Sequence, residues 1–121
     1  MTLPLSPEML ACAYDYLRST PPFDKWNLPD SEDVAFSVVR SPRQFGWYQW
    51  DGKRHTISAS AKAIGHTSTL MTLMAHEIIH LHLEANGMEN RKGDCGIHNA
   101  AFRKFAAQVC KFHGFDPKAF Y

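Results

Sequence analysis

With 121 residues, 45% of them apolar, and a net charge of +1, the chain has the size of one domain and enough apolar residues for a core. The near-neutral balance leaves no electrostatic footprint for nucleic acid. Arg40-Ser41-Pro42-Arg43, Arg91-Lys92 and Arg103-Lys104 are small clusters that read as solvated faces. No apolar run is long enough to span a membrane, so no membrane partner is expected, and the N-terminus lacks the basic-then-apolar order of a secretory signal.

In chain order, 7–19 reads as a first helix. Ser6 is its cap, Pro7 takes the first helical position, and Leu10, Ala13, Tyr14 and Leu17 form its apolar stripe. Pro21-Pro22 ends it, and 23–33 is a proline-containing loop that Trp26 and Leu28 can pin down. Three strands follow at 34–40, 44–50 and 54–60, and Asp51-Gly52 is a tight-hairpin signal between the last two. Alternation along the second strand puts Phe45 and Trp47 on one face and Tyr48 and Trp50 on the other, with one set expected in the core.

A long helix is predicted over 67–86, where Leu70, Leu73, Met74, Ile78, Leu81 and Leu83 recur at helical spacing without a proline and Gly87 supplies the stop. After a polar, glycine-rich linker over 87–97, the spacing predicts a last helix over 98–113. Its stripe is His98, Phe102, Phe105, Ala106 and Val109, and Gly114 ends it. Asp116-Pro117 begins a short tail that closes on Phe120 and Tyr121. Strands grouped apart from helices argue for an α+β fold with an antiparallel sheet. The cysteines, Cys12, Cys95 and Cys110, are odd in number and lack framework spacing, as expected in a reducing compartment. Cys12 and Cys110 read as small core residues on apolar helical faces. The expected location is the cytoplasm, in a bacterial or phage-encoded protein.

The centre of the long helix carries His76-Glu77-Ile78-Ile79-His80, an H-E-x-x-H motif among apolar residues. Histidines four apart lie about 40° apart around a helix and about 6 Å apart along it, so both imidazoles can reach one metal ion. Glu77 is on the same side, where its carboxylate can touch a metal-bound water, as in zinc hydrolases. Three ionisable groups on a buried element need partners, and a metal supplies one for all three.

A third ligand has four candidates by sequence: His82, Asp94, Cys95 and His98. His82 points about 200° away from His80 around the helix and reads as a solvated surface histidine. His98 fits best, on the core face of the next helix. Asp94 and Cys95 stay open: both residue types ligate zinc, and Cys95, three residues before His98, could latch the metal's open position. Otherwise Cys95 is a loop thiol and Asp94 caps or charges the helix start. His113 lies about four turns from His98, too far to share an ion, and suits the C-terminal end of its own helix.

Taken together, Thr72-Leu73-Met74-Ala75-His76-Glu77-Ile78-Ile79-His80-Leu81, a glycine-rich loop, and His98-Asn99-Ala100-Ala101-Phe102-Arg103-Lys104-Phe105 resemble the SprT-like zinc metallopeptidases, which include the Spartan proteases. The resemblance covers roughly residues 44–113, with Thr56-Ile57-Ser58 similar to the strand before the family's active-site helix. One departure is visible: Asn99 stands where the family usually has glycine.

The resemblance implies a zincin-like arrangement: a sheet packed beside the active-site helix, with an edge strand, here 54–60, lining a cleft where a peptide substrate adds by backbone hydrogen bonds. It also implies association with DNA, on family grounds alone. Many members carry a C-terminal cysteine ribbon; no C-x-x-C pair occurs here, so that ribbon's functions are not carried over. The expected chemistry is hydrolysis of a peptide bond in a protein or peptide substrate, with zinc on His76, His80 and His98 and Glu77 as the base that takes the water proton. Tyr48, His55, His66 and Tyr121 are candidate oxyanion donors, none of them selected by the sequence. The alternatives are a non-catalytic zinc module tying two helices together, closed by Cys95 or Asp94, and an adaptor that kept the fold.

Overall fold

The computed structural model describes residues 3–88 and 98–120. Helix α1 (Pro7–Arg18) starts where its cap dictates: the Ser6 hydroxyl oxygen accepts from the Met9 amide at 3.2 Å and Pro7 opens the helix. Leu10, Ala13, Tyr14 and Leu17 are buried as expected. Cys12 is exposed and not a core residue. Two residues past Leu10, it lies about 200° around the axis, on the opposite side from the stripe. Cys110 is buried as expected. The Tyr14 hydroxyl donates to the Pro29 carbonyl at 2.6 Å, and its ring meets Phe36 edge-on at 5.5 Å, so α1 ties down the following connection and the first strand. That connection contains two short 3-10 turns, Phe23–Lys25 and Ser31–Asp33.

Strands β1 (Val34–Val39), β2 (Gly46–Trp50) and β3 (His55–Ser60) form a mixed sheet in the order β1-β3-β2. β2 and β3 pair antiparallel, with Trp50 opposite His55. Their turn follows from Asp51-Gly52: the Asp51 carboxylate accepts from the Lys53 and Arg54 amides at 2.8 and 2.7 Å, and Gly52 takes a φ of +94°. β1, however, runs parallel to β3, with Val34 opposite His55. The expected all-antiparallel sheet is therefore corrected, and so is the expected edge: the 54–60 strand is central, and β1 and β2 are the outer strands.

The reason lies in the 40–45 connection, which steps across the end of β3. The Ser60 amide donates to the Phe45 carbonyl and the Ala61 amide to the Val39 carbonyl, each at 2.8 Å, while the Ser60 hydroxyl donates to the Ser41 carbonyl. Both flanking strands are thus anchored at the same end of β3. Tyr48 joins the core, whereas Trp50 and Phe45, the latter just ahead of β2, are exposed, so neither alternating set is buried as a whole.

Helix α2 (Thr67–Ala85) packs against β2, β3, α1 and the last helix. Surrounded on several sides, it is apolar nearly all round, and everything from Leu73 to Leu83 except His76 is buried. It ends at Gly87, φ +70°, with the Gly87 and Met88 amides donating back to the Glu84 and Leu83 carbonyls at 3.2 and 2.7 Å, a Schellman turn. Helix α3 (Ala100–His113) begins after His98 rather than at it. Over the described residues the architecture is α+β, with three helices and a small three-stranded mixed sheet. Among the described residues no helix is long and apolar enough to cross a membrane.

Candidate metal centre

His76 and His80 sit one turn apart on α2, and their rings approach to 5.1 Å between centroids. His98, just ahead of α3, brings its ring to 4.8 Å from His76 and 5.3 Å from His80. One ring nitrogen from each of the three lies within 4.8 Å of the others, close enough to hold a metal ion. Bonds of about 2.0–2.1 Å in a tetrahedral zinc site put nitrogens about 3.4 Å apart, inside that distance. The donor set is all imidazole, which suits zinc and also copper, nickel or iron.

Each ring is held from outside the cluster. His76 Nδ1 donates to the Phe120 main-chain carbonyl at 3.0 Å; a carbonyl only accepts, so Nδ1 carries the proton and Nε2 keeps its lone pair. His80 is 2% exposed, with Phe102 lying 4.6 Å away, centroid to centroid. His98 stacks on Phe102 at 4.2 Å with planes 16° apart, and its carbonyl accepts from Arg103 Nη1 at 2.7 Å. Asn99 supplies the α3 cap, its side-chain oxygen accepting from the Phe102 amide at 2.8 Å at an ordinary φ of −75°. Its side-chain amide donates to the Met88 carbonyl at 3.0 Å, joining the end of α2 to the start of α3. No glycine is required at this position.

Burial, then the neighbouring His80 and His98, pushes the His76 pKa down to about 3, with the Phe120 hydrogen bond pulling weakly the other way. His76 is therefore neutral at pH 7, the state that ligates a metal. Glu77, 4% exposed, lies beside His76 along one wall of a cleft of about 430 Å³. Thr72 and Leu73 of α2 continue that wall, Phe45 and Gly46 face it from the start of β2, and Phe120 closes it from the tail. The edge strand at the cleft is thus β2, not β3. Gly46 is needed there: a Cβ would meet the Ser58 carbonyl oxygen at 2.3 Å and Leu73 Cδ2 at 2.9 Å.

The remaining candidates fall elsewhere. His82 is not a ligand, as its facing predicts, but neither is it a solvated surface residue. It is 9% exposed, stacked on Trp26 at 4.4 Å and edge-on to Phe105 at 5.0 Å, and burial lowers its pKa. The side of α2 opposite the cluster is covered by the 23–33 connection and α3, which helical facing alone does not reveal. His113 binds Thr20 through Nε2 at 3.0 Å, tying the end of α3 to the end of α1. Tyr48 and His55 bond to each other, and neither lines the cleft. His66 is exposed at the start of α2 and makes no capping bond. Asp94, Cys95 and Tyr121 lie outside the described residues.

Sequence reasoning missed Phe120, Arg103 and Gly46. Phe120 and Gly46 act through contacts distant in sequence and carry no local signal; Arg103 grips a carbonyl five residues back. The Asn99 cap was readable from its residue type directly ahead of a helix. No protein-family model and no curated protein matches this chain.

Proposed function

We propose that this chain is a zinc-dependent metallopeptidase of the SprT-like kind, with a zincin-like fold, in which His76, His80 and His98 hold the metal and Glu77 is the general base. The observation that supports this reading best is the convergence of three imidazoles, one of which, His76, shares a cleft wall with the buried Glu77. A bound zinc ion would supply Lewis acidity, polarising the scissile carbonyl and acidifying water.

The chain's own residues do the rest. His76 arrives neutral, so no proton has to be displaced from it at pH 7. A Glu77 carboxylate oxygen takes the proton from the attacking water and passes it to the leaving amine nitrogen. A purely structural site has no use for a carboxylate at that position. The outer strand β2 gives an extended peptide an edge to add to, beside the cleft. Phe45, Leu73 and Phe120 make the cleft wall largely apolar, so an apolar side chain fits there best.

The test is Glu77→Gln against wild type on an unfolded protein substrate, with metal content measured in both. The expected result is about one zinc per chain in each and a loss of cleavage by two or more orders of magnitude in the variant, the usual worth of a positioned general base. A wild type that holds zinc yet cleaves nothing across a broad panel of peptides sinks the peptidase reading and leaves the non-catalytic module. DNA in the same assay tests whether DNA activates cleavage.

A further inference from the structure

The tail after α3 is built to end at His76. Gly114, φ +76°, turns the chain out of α3. A turn follows in which the Asp116 carboxylate accepts from the Lys118 amide at 3.0 Å and its carbonyl from the Ala119 amide at 3.1 Å. This reverses the chain toward α2. Phe115 stacks on His113 at 5.6 Å and on Phe120 at 5.8 Å, and His113 is itself bonded to Thr20. Phe120 is 3% exposed, so burial of its ring holds its main chain in place. The carbonyl thus fixed meets His76 Nδ1, 44 residues away in sequence, at 3.0 Å.

We infer that residues 114–120 form a positioning strap: the Phe120 carbonyl holds His76 in its Nδ1–H tautomer so that Nε2 is the nitrogen offered to the metal, and the buried Phe120 ring keeps that carbonyl in place. The inference rests on the reading of His76 as a metal ligand. Phe120 touches neither substrate nor metal through its carbonyl; it acts through His76. Outer partners of this kind fix the ring's orientation and raise its basicity as a ligand, and losing one typically weakens metal binding by about 10–100-fold. Because the bond is made by the main chain, the side chain at 120 matters to the His76 tautomer only as an anchor. A bulky apolar replacement should serve, and a small one should not.

The experiment has two readouts besides activity. Long-range proton–nitrogen NMR of histidine-labelled, metal-free wild type at neutral pH reports the His76 tautomer directly, and competition with a chelator reports zinc affinity. Wild type should show protonated Nδ1 at His76. Phe120→Ala should mix the tautomers and bind zinc about 10–100-fold more weakly, while Phe120→Leu stays close to wild type. Phe36→Ala removes a comparable ring packed on Tyr14, outside the cleft lining, and should lower stability without moving either readout.

Protonated Nε2 at His76 in the wild type overturns the inference, and so does a folded Phe120→Ala that binds zinc as tightly as wild type. If Phe120→Ala does not fold, the wild-type spectrum still decides the tautomer. A wild type with protonated Nδ1 that takes up no zinc refutes the metal-site reading instead, and with it any effect of the strap on metal affinity.

Discussion

Replacing Gly46 with alanine tests how closely β2 is drawn onto the site. The added Cβ would lie 2.3 Å from the Ser58 carbonyl oxygen, whereas real Cβ contacts essentially never fall below 3.0 Å, so the strand must move by about 0.7 Å (3.0 − 2.3). The obstructing atom is main chain and cannot rotate away; the Leu73 methyls, at 2.9 and 3.1 Å, block retreat toward α2. Overpacking of this kind costs about 1–3 kcal/mol. Against it stands the smaller entropy of an alanine-containing unfolded chain, worth about 0.4–1 kcal/mol. The net loss is about 1–2 kcal/mol. At about 2.1 cal/mol/K per residue, a chain this long has an unfolding entropy of about 0.25 kcal/mol/K, so Tm should fall by about 4–8 °C.

Differential scanning calorimetry of Gly46→Ala and Gly65→Ala makes the comparison. Position 65 has open space around its Cβ and no left-handed φ, so that variant should melt at or slightly above wild type. Peptide cleavage adds a functional readout, since β2 also borders the cleft: Gly46→Ala should raise KM. A Gly46→Ala protein that melts as high as wild type refutes the close approach of β2.

Zinc at a hundredfold excess over its dissociation constant should stabilise wild type by about 2.7 kcal/mol, a rise in Tm of about 10 °C. His98→Ala should abolish that rise, whereas His82→Ala, losing its stacking on Trp26, should lower the starting Tm and keep the rise; equal loss of the rise in both refutes the ligand assignment. Acid should destabilise the metal-free protein. His76 titrates near 3 when folded and near 6.5 when unfolded, so between those values the unfolded chain binds more protons. Stability is full above about pH 6.5 and falls as the pH drops toward 3, with buried His82 adding in the same direction. Urea midpoints across that window should fall less steeply for His76→Gln than for wild type, and parallel curves would contradict the shift.

The features legible in the sequence are those made within a few residues. Ser6-Pro7, Asp51-Gly52, Gly87 and Gly114 act on their own backbone, and each α-helix and strand lies within two residues of its expected bounds. The facing of His76, Glu77 and His80 comes from helical geometry, whatever surrounds the helix. The same geometry excluded His82 from the cluster and, applied to Cys12, would have put it outside the core.

Tertiary structure decided the rest. The strand order β1-β3-β2 depends on where the 40–45 connection crosses the end of β3, not on any strand's own pattern. Which faces of α2 are covered, and hence the burial of His82, depends on elements docking from both sides of it in sequence. His98 was placed on the expected face by periodicity, but its meeting with His76 required α3 to pack beside α2. The Phe120 carbonyl on His76 is the extreme case. Local periodicity reflects hydrogen bonds and side-chain packing over three or four residues, whereas contacts between distant segments depend on which arrangement of all the apolar faces buries them together.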